Sequence, residues 1–128
     1  MSIAAIREGL ADALAPIRGA RIAAYWPDQV HPPAIIVSGY TVDFDLAFAR
    51  GSDDYRFTIT VVSDRKTSTG AQSTVDELVM QVKSALEADK SLGGAAQSLH
   101  VLSMSGYSTF GDDNYLTATV AVRVIAAP

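Results

Sequence analysis

Residues 55–63 read YRFTITVVS, and in that run Tyr55, Phe57, Ile59 and Val61 alternate with Arg56, Thr58 and Thr60. A period of two places the apolar set on one face of a strand and the polar set on the other, so one face must be covered and the other need not be. The carboxyl-terminal run repeats the demand: Leu116, Ala118, Val120, Val122 and Val124 alternate with Thr117, Thr119, Ala121 and Arg123. Two such strands require a sheet with something apolar laid on one side. Two segments of helical period can supply it. Ile3, Ile6, Leu10, Leu14 and Ile17 recur every three or four residues, which predicts a helix from Ser2, its N-cap, to about Ala15. Val75, Leu78, Val79, Val82 and Leu86 make a second apolar stripe, which predicts a helix from about Ala71 to Asp89 with Asp76 and Glu77 near its favourable start.

The remaining segments complete an α+β chain. Ala20–Trp26, bounded by Gly19 and Pro27, suits a short strand, and the three prolines of PDQVHPP make the next stretch a loop. AIIVSGYTVDF, Ala34 to Phe44, is a β-branched strand with a bend expected at Gly39. The run from Asp43 to Asp54 reads as a turn with an acidic tip, and Ser63–Gly70 as a polar, mobile loop. Gly93 and Gly94 offer a left-handed helix stop, a strand is centred on Leu99 to Met104, and Gly111–Asn114 turns the chain into the last strand, Tyr115 to Ile125. The expected architecture is a largely antiparallel, mixed β-sheet covered on one face by two α-helices, in a single domain spanning residues 1–128. Its central strands are Tyr55–Ser63 and Tyr115–Ile125, with Phe57, Ile59, Val120 and Val122 facing Leu78, Val82 and Leu86.

Charge and chemistry narrow the function. Ten basic against fourteen acidic residues give a formal net charge of -4, without the basic stripe that a general grip on phosphates requires. There is no cysteine, hence neither a disulfide framework nor a thiolate zinc site, and neither a signal-like nor a membrane-spanning apolar run is visible, so an unexported chain without membrane partner is expected. His31 and His100 lack H-x-x-x-H spacing and read as structural or surface residues. The acid pairs Asp53–Asp54 and Asp112–Asp113 could ligate a cation, but they sit in turn-like segments without the longer spacing of a calcium loop. MSGYS lacks the spacing of a nucleophile elbow, and Gly93–Gly94 end a helix where a phosphate loop would begin one. The residues point to neither catalysis nor a cofactor.

The order of elements is more specific. An amphipathic first helix, the proline-broken YWPDQVHPPAIIV, the strand YRFTITVVSDR, a helix ending LVMQVKSALEADKSLGG with its AL-x-AD-x-x-LGG close at Ala85–Gly94, and the final strand from Tyr115 to Val124 together resemble the tail terminator (tail completion) proteins of long-tailed, non-contractile bacteriophages. The resemblance covers nearly the whole chain. It implies a non-enzymatic virion subunit that closes into a homohexameric ring on the last ring of the major tail tube protein, stops tube polymerisation and presents a surface to the head-tail connector or neck protein. It implies a place at the head-proximal end of the tail, after synthesis in the host bacterial cytoplasm, with DNA passing through the lumen and no sequence-specific nucleic-acid contact. On that expectation the assembly or lumen contacts are Asp43, Asp45, Arg50, Asp53, Asp54, Arg65 and Lys66, and the carboxylates among them would keep the channel from holding phosphates. A neck or minor tail subunit is a neighbouring reading. From a different class comes a small dimeric α/β ligand-binding module, which would need an apolar pocket where a ring subunit needs strand edges and loops that pair with neighbours.

Overall fold

The strand with the strongest alternation lies in the middle of the sheet. The computed structural model describes residues 3–44, 52–66, 69–94, 96–111 and 114–126, without the side chains of residues 65 and 66. In chain order the elements are α1 (Ile3–Leu14), β1 (Arg21–Ala23), β2 (Ala34–Asp43), β3 (Asp53–Lys66), α2 (Thr69–Glu87), β4 (Ser98–Phe110) and β5 (Tyr115–Ala126). The five strands form one sheet in the order β1-β2-β3-β5-β4. All neighbours pair antiparallel except β1 with β2, so the sheet is mixed. The short parallel pair follows from the connection: residues 24–33 carry the chain back to the start of β2, and Arg21 N–H donates to the Pro33 carbonyl at 2.9 Å.

Side-chain parity decides which face the helices cover. Tyr55, Phe57, Ile59 and Val61 of β3, with Leu116, Ala118, Val120, Val122 and Val124 of β5, are buried in one cluster with Ile6, Leu10 and Leu14 of α1 and Val75, Leu78, Val82 and Leu86 of α2. Burying each large aliphatic or aromatic side chain here is worth about 1.5–3 kcal/mol, so this face is the main source of stability. On the opposite face a smaller cluster, Ala34, Ile36 and Val62, packs with Val30, Phe110 and Tyr115, and the Trp26 ring meets Phe110 edge-on with centroids 5.4 Å apart. The proline-broken connection therefore caps one end of the otherwise open face.

Several boundaries differ from the sequence expectation. The first strand shrinks from Ala20–Trp26 to three residues, because its alanines offer little to pack and Trp26 turns away to Phe110. Most of the polar stretch from Ser63 to Gly70 is regular: β3 runs on to Lys66 and α2 begins at Thr69, leaving only residues 67 and 68 outside the description. With α2 starting at Thr69, Asp76 and Glu77 stand about two turns into the helix and not near its start, beyond the reach of its macrodipole. Glu87 ends α2 sooner than expected, so Gly93 and Gly94, with φ of 67° and 99°, serve a separate 3-10 turn at Leu92–Gly94. The strand expected at Leu99–Met104 spans thirteen residues. Its second half has no apolar alternation, because register shifts at Val101/Ser103 and Gly106/Ser108 change its parity while the β5 backbone still pairs with it. The expected bend at Gly39 is present as a register shift between Val37 and Gly39. Ser2, Asp112 and Asp113 lie outside the described residues.

Candidate assembly surfaces

At one end of the open face the ladder gathers charge. Asp54 faces Asp43 across β2–β3, Arg56 faces Arg123 across β3–β5, and His100 of β4 faces Arg123 from the other side. Asp54 is 2% exposed, and its Oδ2 lies 3.1 Å from Arg123 Nε and 3.6 Å from Arg56 Nη2. Its Oδ1 has no hydrogen-bond partner among the described residues, and the Arg123 contact lacks hydrogen-bond alignment despite its length. The result ties β3 to β5 mainly by charge.

This placement corrects the expectation for the acidic turn. Asp53 and Asp54 are not turn residues: both open β3 and both are buried, so they stand in the sheet and not at an exposed loop tip. The reason is that Tyr55 and the residues before it continue the ladder as far as Ala126, which draws the acids into the sheet. Asp43 is exposed at the end of β2. Lys66 ends β3 opposite Tyr115, and Arg65 precedes it, but the side chains of both lie outside the description, as do Asp45 and Arg50 entirely. The structure thus brings Asp43 and Asp54 together and adds Arg56 and Arg123. Parity alone put those arginines on the polar face; their meeting with Asp54 needed the register.

The rest of the open face carries hydroxyls. Ser38, displaced by the β2 bulge, donates from Oγ to the Thr58 carbonyl at 2.9 Å and accepts from Thr60 Oγ1 at 2.9 Å. A groove of about 390 Å³ crosses this face between Thr41, Arg56, Thr58, Leu102, Ser103 and Ala121. Its lining mixes the hydroxyls and Arg56 with apolar groups such as Leu102, Ala121 and Val122, and it lies open along the sheet, unlike an enclosed ligand pocket.

Two further surfaces escaped sequence reasoning. On the helix side α2 and β4 flank a crevice of about 330 Å³ lined by Asp76, Val79, Met80, Met104 and Tyr107 among others. The Tyr107 hydroxyl donates to Asp76 Oδ1 at 2.6 Å, and this bond holds the phenol's pKa above its ordinary value. Met80 of α2 is exposed, as are Leu102, Met104 and Tyr107 of β4, a strand whose outer edge pairs with no described strand. At the other lateral end, α1 buries Arg7 to 8% exposure. Its Nη1 donates to the Val37 carbonyl at 2.6 Å and the Ala24 carbonyl at 2.8 Å. The guanidinium carbon lies 5.0 Å from the Tyr25 ring centroid and 5.8 Å from those of Tyr40 and Phe57. No described carboxylate pairs with it. The signal available in sequence was an arginine one residue after Ile6, on the edge of the apolar stripe.

His31 borders a small crevice with Arg21, Ala34 and Ile36 at the β1 edge, whereas His100 stands on β4 at the opposite edge, so the two histidines form no pair. Among the described residues no three His, Cys, Asp or Glu side chains group so as to hold a metal ion, and no helix is long and apolar enough to cross a membrane. Compared with known families and with curated proteins, the chain matches neither a family model nor a curated relative.

Proposed function

We propose that this chain is a structural subunit that assembles with copies of itself into a ring, capping a phage tail tube and offering a joining surface to the head. The observation that carries the proposal is β4. It is thirteen residues long, terminal in the sheet and lined by exposed Leu102, Met104 and Tyr107. An exposed edge of this length, with apolar side chains along it, is the kind of surface that pairs with another chain, and the bulges at residues 102 and 107 keep it from unlimited edge-to-edge growth. The order of elements, with helices before β1 and before β4, agrees with the pattern on which the resemblance to tail terminators rests. The homohexamer, the tube protein and the neck protein enter as that family's expectation.

The test is a tube-growth assay with the tube-forming protein encoded in the same genome. Purified chain added during polymerisation should leave short tubes, each with a ring at one end in negative-stain images, and the length distribution should shift downward as the ratio of chain to tube protein rises. Tubes of unchanged length with bare ends at every ratio would sink the proposal.

A further inference from the structure

The two surfaces that sequence reasoning missed differ in a way that constrains how copies meet. The α2–β4 crevice presents Met80 and Tyr107, 51% and 47% exposed, beside Asp76, whose carboxylate accepts a phenol hydrogen but meets no described cation. The opposite lateral end presents Tyr25 and Tyr40, 53% and 47% exposed, over the Arg7 guanidinium, which meets no described carboxylate. One surface holds an exposed carboxylate beside apolar side chains, the other a largely buried cation, bonded to two backbone carbonyls, under aromatic rings. They lie at opposite edges of the sheet, beside β4 and beside β1–β2.

We infer that these are the two halves of one head-to-tail contact, in which the α2–β4 crevice of one copy receives the Tyr25–Tyr40 face of the next. A two-fold contact would bring each surface against itself, placing Asp76 and Glu77 against their own copies on one side and Arg7 against Arg7 on the other. Like charges brought together as a contact excludes water repel, whereas the crossed pairing sets acid against cation. The apolar side chains are of the kinds enriched at the centres of interfaces, and the crevice encloses about 330 Å³ between α2 and β4. A contact between different patches generates a ring when its rotation closes, and a filament when it does not. The inference rests on the proposed ring and deepens it by assigning its subunit contact.

The chain's lack of cysteine makes it testable residue by residue. Met80→Cys and Tyr25→Cys are made singly at exposed positions, with Lys90→Cys as a surface control. Each variant is treated with a short bis-maleimide at high protein concentration, alone and in equimolar mixtures. The mixture of Met80→Cys with Tyr25→Cys should give about tenfold more cross-linked dimer than either alone, or than Tyr25→Cys with Lys90→Cys, and the yield should fall as salt screens the charges. The double variant should give a ladder of multimers. Self-linking of Met80→Cys equal to its linking with Tyr25→Cys, or a mixture no better than the Lys90→Cys control, overturns the inference. Failure here is separable from failure of the capping role. Head-to-tail cross-links with uncapped tubes leave the contact standing and remove the cap, whereas tubes still capped by Met80→Glu and Tyr25→Glu variants leave the cap and remove the contact.

Discussion

Replacing Arg7 with methionine tests how α1 is fixed to the sheet. The guanidinium makes two hydrogen bonds, to the Ala24 and Val37 carbonyls, and lies over three aromatic rings. A bond from a charged donor contributes about 1.5–3 kcal/mol, and each ring contact adds about 0.5–1 kcal/mol where partly exposed. Against this stands the cost of desolvating a guanidinium without a counter-ion, several kcal/mol, which methionine does not bear. Methionine also keeps most of the packing of the arginine stem. What it cannot replace are the donors, and each carbonyl left buried without a partner costs about 1–3 kcal/mol. The net expectation is a loss of about 2–4 kcal/mol, which for a chain of this length lowers Tm by roughly 7–15 °C. Arg7→Lys should fall between methionine and the parent, since one ammonium does not reproduce the planar fork. Chemical denaturation of the three proteins, with the slope m unchanged, is the assay. A stability within about 0.5 kcal/mol of the parent for Arg7→Met would show that the two carbonyl bonds contribute nothing net, and would refute the reasoning.

Three other outcomes are expected. Leu78→Ala should cost about 2–5 kcal/mol by denaturant titration, because Leu78 is buried between α2 and the sheet, and a change below about 0.5 kcal/mol would mean that α2 presents a different face. Asp54→Leu should destabilise by about 1–3 kcal/mol by leaving Arg123 beside an apolar group, and adding Arg123→Leu should recover much of it; strictly additive losses in that double-mutant cycle would deny the pairing. Tyr107 should titrate above the ordinary phenol value of 10.0 in tyrosine-labelled NMR spectra and return toward it in Asp76→Asn. Because the folded pKa is the raised one, the stabilisation from this contact is complete below the unfolded phenol value and is lost as pH rises through the folded one; a Tyr107 titration indifferent to Asp76 would contradict the hydrogen bond.

The main sheet and both helices were legible in the sequence because the apolar residues of β3, β5, α1 and α2 keep strict periods, and periodicity is a local property of the chain. From it alone follow the α+β class, the central position of β3 and β5, and the side chains that face each other in the core. Composition likewise determined that neither a disulfide nor a thiolate ligand is available. Tertiary structure decided what depends on pairing between distant segments. Residues 105–110 carry no strand signal of their own and become strand because β5 supplies their ladder. Asp53 and Asp54 look like turn residues, since aspartate favours turns for backbone reasons, yet the register across β3 and β5 draws them inward and sets Asp54 beside Arg123. Arg7 reads as an edge residue of a helix until the β2 bulge and the exit from β1 each turn a carbonyl toward it. Local pattern specifies which face of an element is apolar. Which polar groups meet on the remaining faces is set by strand register, bulges and the direction of long side chains, and these exist only once the elements have packed.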